Sequence, residues 1–360
     1  MAKHILILVL LAAMLTFASC NSEFEVNDQW KDVPAVFCVL DQSQEYQYVK
    51  VNKCFSGNLP ASEMASVSDS LFYSCDVKVR LYKKDKDGKS VLKKWDFVPV
   101  DSIPKGHGFF ASDKNTIWVG RPQLAEGFVY ELEVNIDNGR IIARGVTEVV
   151  DGVNLTTPDA RVSKIEMARY NNDFMIKYFP GKNANLFQTT VWMNYLEIMS
   201  NGDTIPKSLE VYNSISYKTS VNPYTAVEHA FSVASLYSSI VAQVNSNDEN
   251  VVKRLVKMPD CVTFNVASAD ENLYTYMQVT KPSGGIAQDR PIFTNIYIDE
   301  GCDPKYSSAY GLMASRYNVT VSKALGTETL DSISRGMYTK DLKFASRYDN
   351  YYILNKPYDK

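Results

Sequence analysis

Histidine is scarce, with 3 in 360 residues, and one of them, His4, precedes a hydrophobic run at the start of the chain. That leaves His107 and His229 as bases for a Ser–His–Asp or Cys–His mechanism, each of which needs an imidazole. His107 lies in Gly106-His107-Gly108 ahead of Phe109-Phe110, and neither histidine adjoins a recognisable nucleophile; no Gly-x-Ser-x-Gly elbow occurs. Metal motifs are missing as well: there is no Cys-x-x-Cys and no His-Glu-x-x-His. Asp85-Lys86-Asp87-Gly88 imitates the centre of a calcium loop, but the outer ligand positions fall on Lys83 and Lys94. Asp299-Glu300-Gly301-Cys302-Asp303 gathers carboxylates and reads as a solvated turn. Ser283-Gly284-Gly285 lacks the Lys-Ser/Thr pair of a phosphate loop. The expectation is a non-enzyme with no catalytic residue, no metal ligand and no cofactor.

A basic excess is lacking too. Lys plus Arg is 38 against 41 for Asp plus Glu, a net charge of −3, so no surplus is available to collect phosphates and no nucleic-acid partner is expected. Gly at 17 and Pro at 14 are too few for a collagenous or linker-like chain. After the first twenty residues no run of 18 apolar residues occurs, so no later segment has the length of a membrane-spanning helix.

The start of the chain is different. Lys3 precedes the apolar run Ile5 to Phe17, which fits the core of a signal peptide and is too short to span a bilayer. Phe17-Ala18-Ser19-Cys20 resembles a bacterial lipobox, in which the signal is cut before the cysteine and the thiol is lipidated; Phe17 stands where Leu is commoner. The resemblance implies a signal peptide over 1–19, lipid attachment at Cys20, and an anchor that holds the chain to a membrane without spanning it. Residues 20–31, polar and acidic, read as a tether. Beyond Cys20 are Cys38, Cys54, Cys75, Cys261 and Cys302, an odd number for the oxidising compartment an exported protein meets. Cys261–Cys302 is a candidate disulfide, and the alternative is that the thiols act as small buried hydrophobes.

Residues 32–152 read as consecutive strands. In Cys75 to Lys84, Val77, Val79 and Leu81 alternate with Lys78, Arg80 and Tyr82, the period of a strand with one face buried. The following hairpin is expected to use a three-residue loop, Lys86 to Gly88, pairing Val77 with Phe97 and Val79 with Trp95, with Gly88 left-handed. A second hairpin over Asn138-Gly139 places Ile136 against Ile141 and Val134 against Ala143. Seven short strands predict an immunoglobulin-like β-sandwich, with residues 57–69 as a surface loop.

Asp151 to Pro158 is polar and turn-rich and marks a boundary before a β-rich C-terminal domain over 159–360. Strands are expected at 174–179, 189–200, 209–218, 262–267, 273–279, 292–298 and 313–321. One amphipathic helix is expected over 225–245, opened by a capping box from Thr225 to Glu228, with His229 just inside it. The fold class is therefore mainly β. Tyr is abundant at 23, and Tyr46, Tyr48, Tyr306, Tyr310, Tyr317, Tyr348, Tyr351, Tyr352 and Tyr358 gather towards the two ends of the chain. They suit either strand packing or a binding surface.

Several stretches together carry a resemblance. Val39-Leu40-Asp41 with Tyr48-Val49-Lys50-Val51-Asn52-Lys53, Ala61-Ser62-Glu63-Met64-Ala65 with Asp69-Ser70, Gly108-Phe109-Phe110-Ala111-Ser112, Phe293-Thr294-Asn295-Ile296 and Tyr310 to Tyr317 are similar to segments of uncharacterised two-domain lipoproteins of Bacteroidota. Glu23 and Glu25 resemble the acidic surface-export signal of such lipoproteins. The resemblance implies an outer-membrane lipoprotein with an immunoglobulin-like N-terminal domain, associated with transport machinery, and it carries over no functional residue beyond Cys20. The expected protein is a lipid-anchored binding or assembly component of the cell envelope, on its periplasmic or surface face, with an envelope protein or a glycan as partner. The alternatives are a glycan hydrolase with paired carboxylates, which leaves no local signature, and a structural adhesin.

Overall fold

A computed structural model describes residues 33–55, 59–168, 173–217, 225–244, 246–256, 259–281, 292–302, 309–346 and 348–349. The signal segment, Cys20, the tether, Ser283-Gly284-Gly285, Asp303 and the tyrosines at 306, 351, 352 and 358 lie outside the described residues.

Alternating apolar residues set the first seven strands: β1 (Pro34–Asp41), β2 (Gln47–Lys53), β3 (Val77–Lys84), β4 (Val91–Val100), β5 (Ile117–Gly120), β6 (Val129–Ile136) and β7 (Ile141–Glu148). β4 serves two layers. Its first part pairs with β3, and its last residues, Val98 to Val100, pair with β5. One layer therefore runs through β1, β2 and β5, and the other through β3, β6 and β7. Val36, Cys38, Leu40, Val49, Val51 and Trp118 from the first meet Val79, Leu81, Tyr130, Leu132, Val134 and Ile136 from the second in one buried cluster. A sandwich results because each strand has a single apolar face to bury.

The second hairpin forms in the expected register, with Ile136 opposite Ile141 and Val134 opposite Ala143. Its turn residues Asn138 and Gly139 have φ of 52° and 98°, the positive pair that a type I′ turn demands. The first hairpin differs by two residues. Val79 faces Phe97 and Leu81 faces Trp95, with a bulge at Lys83/Lys84 and a longer loop over 85–90. A shift of two preserves the period, so the same faces stay apolar; Gly88 is left-handed, at φ 68°. Within the expected surface loop stand two short helices, α1 (Ala61–Ala65) and α2 (Ser68–Leu71).

The second half contributes β8 (Asn154–Thr157), β9 (Lys164–Ile165), β10 (Phe174–Phe179), β11 (Leu186–Met199), β12 (Thr204–Tyr217), β13 (Val227–Phe231), β14 (Val251–Val256), β15 (Val262–Ala269), β16 (Ile296–Ile298) and β17 (Tyr310–Leu325). Helices are α3 (Val233–Gln243), α4 (Glu271–Thr280) and α5 (Thr327–Arg335). Residues from β11, β12, β15, the small β13-β10-β8 sheet, α3 and α5 bury a second core that includes Val191, Phe231, Ile240, Phe264 and Ile333. The chain is mainly β throughout.

Two expectations are corrected. The helix over 225–245 is a strand followed by a shorter helix. Val227 to Phe231 pairs with β10, Glu228 reaches across to Lys177 at 2.7 Å, and the helix starts only after Ser232, whose Oγ accepts from Ser235 N at 3.1 Å. The apparent capping box does not form because Val227 to Phe231 pairs along its length with β10, with alternate side chains turned inward; the exposed Glu228–Lys177 pair only accompanies it. The strand expected at 273–279 is helix α4. Asp270 caps it by accepting from Leu273 N at 2.8 Å, and the helix lies on β17. A six- or seven-residue apolar run fits either state, and the cap decides.

The two halves are not separated along the sequence. β17 is sixteen residues long: its first part pairs in parallel with β1, and its later part pairs with β15 in the second core. β16 returns to pair with β7, so Ile296, Ala309 and Met313 belong to the first core. The turn-rich segment at 151–158 thus marks where the chain leaves the sandwich, to which it later returns. No helix among the described residues is long and apolar enough to cross a membrane.

Candidate functional site

The residues singled out for chemistry lie far apart in role. His107 sits exposed on the loop between β4 and β5. His229 lies on β13, where Tyr178 Oη and Ser216 Oγ approach Nε2 at 3.3 and 3.4 Å and Tyr212 Oη approaches Nδ1 at 3.3 Å. Burial lowers its pKa and favours the neutral ring. Its hydrogen-bonding neighbours are hydroxyls, so the geometry is that of a packed polar core rather than of a base oriented by a carboxylate.

Asp299, expected in a solvated turn, is engaged by an arginine of β7. Arg144 Nε donates to Asp299 at 2.9 Å, while its other nitrogens meet Glu131 at 2.9 Å and Glu133 at 2.6 Å. Lys84 adds a 2.6 Å bond to Glu131. These groups cover the outer face of β6, which is why Glu131 and Glu133 are buried despite pointing away from the core. Among the described residues no group of three or more His, Cys, Asp or Glu side chains is placed to hold a metal ion.

The candidate disulfide is also corrected. Cys261 lies in the second core, with its sulfur accepting from Leu325 N at 3.0 Å; Cys302 lies against the sandwich, accepting from Ile142 N at 3.3 Å. No bond joins them. Burial pushes the Cys261 thiol up to about 11 and the Cys38 thiol up to about 12, so both behave as small hydrophobes.

A pocket of about 280 Å³ opens at one end of the sandwich, between the segment leading into β3 and the loop joining β4 to β5. Phe72 and Trp118 supply aromatic walls, and Asp76, Asp101, Lys114 and Thr116 supply polar groups. Thr116 Oγ1 donates to Asp101 Oδ1 at 2.5 Å, which fixes the carboxylate. Lys50 Nζ stands 4.6 Å from the centroid of the Phe72 ring and donates to Asn115 Oδ1 at 2.8 Å and Thr116 O at 3.0 Å. Burial, with Lys105 nearby, lowers its pKa to about 8, against the pull of Asp101. The Trp118 indole N–H is buried with no hydrogen-bond partner among the described residues. Phe72 and Trp118 are nearly closed off, at 5% and 6% exposed, so the pocket presents chiefly Asp76, Asp101 and Lys114 to solvent.

Reading the sequence did not find this pocket. It singled out only the neighbouring Phe109-Phe110. Ile117-Trp118-Val119-Gly120 is too short for periodicity to show that Trp118 turns inward, and the pocket's walls come from two segments, 72–77 and 99–118, that are separate in sequence.

No protein-family model matches the chain, and no curated protein matches it. Among solved structures, the C-terminal domain of the Streptococcus pyogenes antigen I/II-family protein AspA aligns at 9% identity, covering 82% of this chain and 100% of that one, with a TM-score of 0.14. A likeness of that size transfers neither fold nor function, and the architecture rests on the strands described above.

Proposed function

We propose that the chain is a lipid-anchored cell-envelope protein that works by binding, without catalysis, and that the pocket beside Trp118 is where it binds. The pocket carries this reading, because a purely structural adhesin has no use for a concave site with converging polar groups. The lipobox-like Phe17-Ala18-Ser19-Cys20 supports the anchor, and the resemblance to Bacteroidota lipoproteins supports an outer-membrane location and an immunoglobulin-like reading of the sandwich. An envelope glycan or protein is the partner class, and transport machinery is one setting for it. Paired acids for glycan hydrolysis need an acid and a nucleophile or base facing a cleft at about 5–9 Å. The Glu131, Glu133 and Asp299 carboxylates, clamped on Arg144, do not form such a pair.

Two measurements test the reading. Cys20→Ala should shift the protein from the membrane to the soluble fraction, and continued membrane retention refutes the anchor. Titration of envelope oligosaccharides and muropeptides against the extracted protein should change tryptophan emission in the wild type and not in Trp118→Phe. Hydrolysis of any of them would replace the binding reading with the enzymatic one.

A further inference from the structure

The first described residue, Val33, is held by Cys54, whose N–H donates to Val33 O at 2.8 Å. The N-terminal segment therefore joins the sandwich at the end where β1 begins and β2 stops. The same end gathers α1, α2 and the long β4–β5 loop. Asn52 Nδ2 donates to Leu71 O at 3.0 Å, and Ala111 N donates to Ala65 O at 2.8 Å. Leu71, Phe72 and Ala111 form a small core beneath this surface.

Two phenylalanines stand out from it. Phe109 is 64% exposed and Phe110 47% exposed, with their rings edge to face at 5.5 Å. Leu59 and Val67 are exposed on the adjoining segments. Lys105 Nζ stands 5.5 Å from the Phe110 centroid and donates to Ala111 O at 2.9 Å, and Lys114 Nζ stands 5.5 Å from the Phe72 centroid, so each ammonium lies over an aromatic ring. Asp101, Asp113 and Glu63 share the surface. Its charge is mixed, and its distinguishing chemistry is exposed aromatic and aliphatic area.

We infer that the Phe109–Phe110 tip of the β4–β5 loop alone inserts into the bilayer that holds the Cys20 lipid, at the boundary between headgroups and acyl chains; neither ring lines the pocket, which stays open. The inference rests on the lipid-anchor reading. Twelve residues, 21–32, separate Cys20 from Val33. Fully extended they reach at most about 45 Å, and a flexible chain of that length averages roughly 20 Å, so the loop stays within reach of the membrane at all times. β17 starts at this end beside Ala35 and finishes at Leu325 in the second core, so docking here directs the C-terminal half away from the lipid.

The test uses the full chain, purified from membranes and reconstituted into vesicles of phosphatidylethanolamine and phosphatidylglycerol containing brominated acyl chains. Phe109→Trp places a reporter on the loop and Val241→Trp places one on exposed α3; the four native tryptophans give a constant background. Bromine should quench the Phe109→Trp reporter at least about twofold more than the Val241→Trp reporter. Equal quenching overturns the docking face, and so does greater quenching at Val241→Trp. The mass of the N-terminal peptide reads lipidation separately, so an unlipidated Cys20 defeats the anchor without being mistaken for failure of the face. A protein that seats this surface on another protein instead of the bilayer would show no bromine quenching, the same overturning result.

Discussion

The Asp270 carboxylate accepts a hydrogen bond from Thr147 Oγ1 at 2.6 Å and so ties helix α4 to the last strand of the sandwich. The same oxygen, Oδ2, accepts from Ser315 N at 3.0 Å, while Oδ1 caps α4 through Leu273 N. Ser315 Oγ in turn accepts from Val150 N at 2.8 Å, where the chain leaves the sandwich. One buried carboxylate thus holds the places where both halves meet, and burial raises its pKa even though these hydrogen bonds draw it down.

Asp270→Ala should therefore be among the costly substitutions. It removes a helix cap and leaves the Thr147 hydroxyl and Ser315 amide buried without their acceptor, for about 2–4 kcal/mol in total. Urea unfolding checks it: a loss below about 0.5 kcal/mol would mean water satisfies these groups.

Gly311 pairs with Val36 across the parallel β1–β17 contact at φ 131°, and a Cβ there would lie 1.7 Å from Val36 O. Since the obstacle is backbone, it has little room to yield. Gly311→Ala is expected to destabilise by about 2–4 kcal/mol. Gly301→Ala, where nothing lies within 4 Å, should stay within about 0.5 kcal/mol. Similar melting temperatures for the two variants would contradict the close β1–β17 approach.

Arg254 is 1% exposed, donates to Glu197 Oε1 at 2.9 Å and to Leu342 O at 2.7 Å, and so joins β14 to the C-terminal segment. Arg254→Met should cost about 3–5 kcal/mol, because Glu197 stays buried with Lys207 only at 3.7 Å. Adding Glu197→Leu should recover part of that loss, and a double variant as unstable as the sum of the two single ones would count against a coupled pair.

His229 supplies the pH dependence. Its folded pKa lies below the usual 6.5, so between that lower value and 6.5 the unfolded chain binds more protons than the folded one. The contribution of His229 to stability is complete above 6.5, declines as pH falls through that window, and levels off below the folded value. Melting temperatures at pH 7.5 and pH 5.5 should therefore diverge more for the wild type than for His229→Gln. An equal drop in both would assign the effect to other groups.

The sandwich was largely readable because period-2 alternation records a local choice: Tyr130, Leu132, Val134 and Ile136 share a face whatever covers it, and Asn138-Gly139 sets its turn through backbone sterics alone. The stretches at 225–245 and 273–279 were misread for the converse reason. Their apolar spacing suits helix and strand alike, and partners distant in sequence, β10 for Val227 to Phe231 and the β17 surface for α4, made the choice.

The sequence by itself determined the mainly β character, the Asn138-Gly139 turn and the scarcity of histidine, since each follows from composition or from neighbours within a few residues. Tertiary structure alone decided that β17 stitches the halves together, that Cys261 lies in the second core while Cys302 lies against the sandwich, and that Phe72, Asp101 and Trp118 line a pocket. Those outcomes depend on loop closure over tens to hundreds of residues, where the free energy comes from burying shared surface and no local pattern records which surfaces will meet.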